Sequence, residues 1–175
     1  VVPAVHAASV PLQWQAVVSP SLSGYRVYYG TSSRNYSSSI DVGNTTQYTL
    51  TGLGNCTRYY VAVKAMSQAG VLSTSYSNEV SGLPTPTVTL VSPSSAEPGQ
   101  SITLNVSGTS FDTGATLVLP AQMSVVAATT LSCTLLSATV TVAADAPVGT
   151  KNVVVRNPDL TEGTLAAGFT VLNST

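Results

Sequence analysis

The sequence predicts an all-β protein made of two tandem β-sandwich domains joined by a short, proline-containing linker. No stretch of the 175 residues keeps apolar side chains at helical spacing. Short runs rich in Val, Thr, Tyr and Leu recur instead, roughly every 8–12 residues, between clusters of Gly, Pro, Asn and Ser. The pattern breaks once, at Gly82-Leu83-Pro84-Thr85-Pro86, where prolines cannot donate to a ladder and hold the backbone extended. Apolar residues make up 43% of the chain, enough to fill two cores. The expected division is an extended arm over 1–7, a first domain over 8–83, a linker over 84–86 and a second domain over 87–175.

In the first domain, SVPLQWQAV reads as a strand with Leu12 and Trp14 on one face. GYRVYYG follows with Tyr25, Val27 and Tyr29 alternating inward. Next come SSSIDV, TQYTLTGL, RYYVAVKA with Tyr59, Val61, Val63 and Ala65 on one face, and TSYSNEVS. Trp14, Val27, Tyr59 and Val61 are the expected core. Trp14 on one strand, GYRVYYG on the next and the Leu50–Leu53–Tyr59 spacing together resemble a fibronectin type III domain over about 8–83. The resemblance implies that the Tyr59 hydroxyl ties back to the preceding turn. The departure is at the front, where no turn separates 1–7 from the Trp14 strand, so a normal first strand is missing or displaced.

The second half runs VTLVSPSSAEPGQSITLNVSGTSF, GATLVLP, ATVTVAADAPVGTKNVVVRNPD and LAAGFTVLN. Ser92-Pro93, Pro98-Gly99, Gly108 through Phe111, Gly114-Ala115, Ala146 through Gly149 and Asn157-Pro158-Asp159 resemble the immunoglobulin-like TIG family of bacterial surface proteins. That resemblance implies a spacer or interaction module, with Leu104, Val106, Val140 and Phe169 in its core.

Composition excludes several functions. Only 7% of residues are charged and the net charge is −1, against about 25% charged in an ordinary soluble domain. Nucleic-acid binding needs clustered Lys and Arg, which are absent. Hydroxyls supply much of the polar surface, with 48 Ser and Thr. No apolar run approaches the roughly 18 residues of a membrane-spanning helix. One histidine, His6, and two separated cysteines cannot supply a catalytic triad or a nitrogen–sulfur metal centre. The carboxylates Asp41, Glu79, Glu97, Asp112, Asp145, Asp159 and Glu162 are dispersed, each expected in or beside a solvated turn. Asp159 and Glu162 lie near each other, but no dedicated calcium loop surrounds them. Neither an enzyme nor a cofactor is expected.

Two features point to binding. Tyr28 and Tyr60 face away from the first core by alternation and form a candidate exposed aromatic surface. Such rings stack on sugars or on protein, or pair across strands to stabilise the sheet. Among the other tyrosines, Tyr36, Tyr48 and Tyr76 are weighed in the same way. The arm Val1, Val2, Pro3, Ala4 and Val5 is apolar and β-prone, and an open sheet edge invites pairing with another chain. Val5 and Ala7 also resemble a secretory cleavage site, against the plainer reading of an extended arm. Five Asn-X-Ser/Thr sequons, at Asn35, Asn44, Asn55, Asn105 and Asn173, matter only in an organism that glycosylates them.

The two resemblances also place Cys56 and Cys133 in turns at opposing ends of adjacent domains. They imply a disulfide between the pair, and hence a site outside a reducing cytosol, against two unrelated free thiols. The resulting expectation is a non-catalytic, secreted or cell-surface structural protein of bacterial type. It associates with itself or with another surface protein through its arm. The alternative is a carbohydrate- or protein-binding accessory module.

Overall fold

The computed structural model describes residues 8–173, so the arm residues Val1, Val2, Pro3, Ala4 and Val5 lie outside the described residues. The chain separates into two compact units, the first ending at Pro84 and the second starting at Thr85. Both are β-sandwiches, with no helix among the described residues.

The first unit contains β1 (Ala8–Gln13), β2 (Leu22–Gly30), β3 (Ser38–Gly43), β4 (Gln47–Leu53), β5 (Tyr59–Ser67) and β6 (Val80–Gly82). One antiparallel sheet runs β3-β2-β5-β6; the other is the pair β1-β4. Alternation sets which residues turn inward. Val27 and Val61 are buried together with Leu50 on the facing strand. Trp14 packs against this cluster and the Tyr59 ring lies 6.5 Å from that of Tyr29, but both stay half-buried. The expectation of full burial fails for these two because a two-stranded layer is too narrow to cover a four-stranded one.

The tyrosine tie is present: the Gly54 N–H donates to the Tyr59 hydroxyl at 2.9 Å. A second hydroxyl closes the opposite pole. The Val17 N–H donates to the Tyr25 hydroxyl at 2.7 Å, fixing the loop between β1 and β2 to the buried Tyr25 ring. Pro11 sits inside β1 without cost to the β1–β4 ladder. Trp14 N–H donates to Thr46 O at 2.9 Å, so Val10, Leu12 and Trp14 bond toward β4, and Pro11 and Gln13 face the other edge.

The second unit contains β7 (Thr87–Ser92), β8 (Ser95–Ala96), β9 (Ser101–Thr109), β10 (Thr116–Val118), β11 (Met123–Ser132), β12 (Leu135–Val142), β13 (Gly149–Arg156) and β14 (Glu162–Val171). Its sheets run β11-β12-β9-β7 and β10-β13-β14-β8, with only β14–β8 parallel. Here both layers have four strands and the core is closed. Leu104, Val106, Val140 and Phe169 are each fully buried, alongside Leu136, Val142, Val153 and Val155. Strand β12 alternates strictly, with Leu136, Ala138, Val140 and Val142 buried and their neighbours only partly so.

A buried amide locks one end of this sandwich. Asn157 donates from Nδ2 to Ser110 O, and its Oδ1 accepts the Asp112 N–H, both at 2.9 Å. These bonds satisfy backbone groups that the irregular Ser110–Asp112 segment leaves outside the ladders.

Candidate functional site

The smaller sheet of the first unit borders a concave surface. Among the described residues β1 pairs only with β4. The segment Ser73–Asn78 runs beside β5, with the Ser73 N–H donating to Ala65 O and the Ser77 N–H to Val63 O. Between β1 and this segment lies a groove of about 770 Å³, floored by Leu12, Trp14, Tyr25, Val61 and Val63. The Trp14 ring meets Tyr25 edge-on at 5.5 Å. Its indole Nε1 is buried and has no hydrogen-bond partner among the described residues. A smaller hollow of about 210 Å³ shares Val17, Ala65 and Ser73 with the groove and reaches Val71 at the tip of the next turn. The apolar trough therefore extends along the unit to one pole, where Val17, Val18 and Val71 are exposed.

The second candidate surface is on the outer face of the β3-β2-β5-β6 sheet. Tyr28 and Tyr60 are both half-buried there, and they do not form an aromatic pair. Register decides this: Tyr28 stands opposite Ala62, and Tyr60 opposite Gly30. The partners of Tyr28 are instead Tyr76, edge-on at 5.1 Å, and Tyr36 at 6.4 Å. Tyr36 and Tyr76 meet at 5.1 Å, and Lys64 Nζ lies 4.3 Å from the Tyr76 ring centroid. Ala62, on the same outer face, is buried as a result. The ring planes are inclined to one another by 54° to 90°. A sugar face lies flat on coplanar or single rings, so this cluster offers only Tyr76, and its main effect is cross-strand packing.

Glu79 fixes the cluster from below. Its carboxylate accepts the Ser33 hydroxyl at 2.7 Å, the Arg34 N–H at 2.7 Å and the Tyr36 hydroxyl at 2.6 Å. These bonds, Ser33 first, hold the carboxyl below its ordinary value. Desolvation and the bond to Glu79 push the Tyr36 hydroxyl up to about 12. A carboxyl depressed in the folded state stabilises that state above its unfolded value, and the contribution disappears as pH falls through the folded one. The Arg34 amide resonance should therefore titrate below the ordinary glutamate value of about 4.3. Titration at that ordinary value would show that Glu79 is not held by the turn.

The remaining carboxylates with described partners are engaged locally. Asp41 is bidentate with Arg26, which lowers the carboxyl and raises the guanidinium. Glu162 pairs with Arg156, and Asp159 Oδ1 accepts from the Thr161 N–H and hydroxyl. Asp159 and Glu162 thus serve different partners. No group of three or more His, Cys, Asp or Glu is placed to hold a metal ion among the described residues. His6 lies outside the described residues.

Cys56 lies in the turn between β4 and β5, at a backbone φ of 58°. Cys133 lies in the two-residue turn between β11 and β12. Both are disulfide-bonded, which overturns the alternative of two free thiols. Disulfides persist in oxidising compartments, so the bonded cysteines are consistent with an extracellular protein.

Comparison with known families agrees with this architecture. Residues 1–82 match the model of the fibronectin type III domain. Residues 85–165 match quinohemoprotein amine dehydrogenase, alpha subunit domain III. The second match shares an immunoglobulin-like β-sandwich with the expected TIG family but carries a different description. No curated protein matches the chain.

Proposed function

We propose that the chain is a non-catalytic structural protein of the cell exterior that self-associates through the arm Val1, Val2, Pro3, Ala4 and Val5. Copies link head to tail into a filament or surface array. The observation that carries this reading is the narrow β1–β4 layer, which leaves the first core half-open along β1. An extended apolar segment suits such an edge. A surface in which 7% of residues are charged repels its own copies weakly. Disulfide-bonded cysteines fit an oxidising exterior. The second domain is read as a TIG-like spacer. Head-to-tail contacts propagate unless the geometry closes a ring.

Deleting residues 1–7 should abolish assembly, measured by light scattering and electron microscopy, while the unfolding midpoint of the monomer barely moves. Full-length protein that stays monomeric at high concentration would overturn the reading.

A further inference from the structure

We infer that the groove between β1 and the Ser73–Asn78 segment is the receptor for the N-terminal arm of a second copy of this chain. The inference rests on the assembly reading and adds its binding site. Two properties of the groove select the occupant. First, it is apolar along its floor, at Leu12, Trp14, Val61 and Val63, and lined at its rim by uncharged Gln13, Gln15, Ser75 and Asn78. A charged peptide would lose its hydration there without gaining a partner. The side chains of VVPAV carry no charge, being only methyl-bearing groups and a proline ring.

Second, the groove asks for a strand's backbone more than for a complete ladder. Pro11 at the outer edge of β1 offers a carbonyl but no N–H, and Gln13 offers both.

Origin in a second copy follows from the junction. To lie antiparallel beside its own β1, the arm must reverse within the residues that join them. Ala4 through Ala8 contain no Gly, Pro, Asn or Asp, the residues that make tight reversals. The residues at the junction therefore favour the groove of a second copy over the chain's own. The groove's extension to the exposed Val17, Val18 and Val71 gives it an entry at the pole.

Trp14, the sole tryptophan, reports on the groove directly. The test is a concentration series of the full chain, measuring average mass by light scattering and Trp14 emission on the same samples. The expected result is a blue shift of emission that rises in step with mass. Growth in mass with unchanged Trp14 emission overturns the groove and leaves the assembly reading intact. A monomer at every concentration overturns both. Emission that is already blue-shifted and independent of concentration places the arm in its own groove, and so overturns the exchange between copies. A second variant guards the result. Ser75 is exposed on the rim, so Ser75→Arg should leave the unfolding midpoint unchanged and raise the half-assembly concentration at least tenfold. Assembly at the unaltered concentration refutes the proposal.

Discussion

Phe169→Ala should destabilise the second domain by about 4 kcal/mol, the range for deleting a fully buried aromatic side chain. Phe169 lies on β14 opposite Lys151, with no exposed surface, and packs in the same cluster as Leu104, Val140 and Val153. Both covering sheets have four strands, so the site has little freedom to collapse on the cavity. For a domain of this size each kcal/mol corresponds to about 4–8 °C in melting temperature. Calorimetry should therefore show a large fall in the transition that reports this domain. Leu90→Ala is the control. Leu90 is on β7 in the same domain but 59% exposed, and its loss should cost about 0.5 kcal/mol or less. Equal effects from the two substitutions would refute the assigned core.

Gly108→Ala should be nearly as damaging, at about 3 kcal/mol or more, for the opposite reason. Gly108 is in β9, paired with Val88 of β7. A methyl group there would stand 1.9 Å from the Thr87 carbonyl oxygen and 2.6 Å from Phe111 Cζ. The first neighbour is backbone fixed by the β7–β9 ladder. The second is a ring only 2% exposed. Neither yields without opening the sheet or displacing Phe111 from the core. Denaturant unfolding measures the loss, and a change below about 0.5 kcal/mol, the scale of an ordinary surface substitution, would show that the strands separate there without penalty. Gly114→Ala offers a contrast, because the nearest neighbour of the added carbon would be Pro158 Cγ at 3.6 Å. Its cost would come from the φ of 85° alone.

Local pattern was sufficient wherever a strand had one buried and one exposed face. LLSATVTV on β12 alternates in sequence and alternates in burial. GYRVYYG turns Tyr25 and Val27 inward as its period of two demands. The Leu50–Leu53–Tyr59 spacing announced a hydroxyl tied to the turn before β5, and Gly54 is the residue that donates to it. All four residues proposed for the second core are fully buried, because each sits on the apolar phase of a long strand.

Sequence alone determined the class of fold, the inward face of each long strand and the scarcity of charge, since these follow from periodicity and composition. It could not determine register or layer width. Alternation placed Tyr28 and Tyr60 on one face, but the β2–β5 register set Tyr28 against Ala62 and left Tyr36 and Tyr76 to pack on it. Glu79 reaches Ser33 and Arg34 across more than forty residues, and nothing near it in sequence signals that reach. Trp14 reads as a core residue, yet it is half-buried because its own layer has two strands and, among the described residues, no third strand flanks β1. The groove beside β1 has the same origin. Its walls come from β1, β2, β5 and the Ser73–Asn78 segment, and such a surface exists only once those pieces are assembled. The reason is physical: a side chain's direction is set by its own backbone, whereas its burial is set by whatever the rest of the chain brings to cover it.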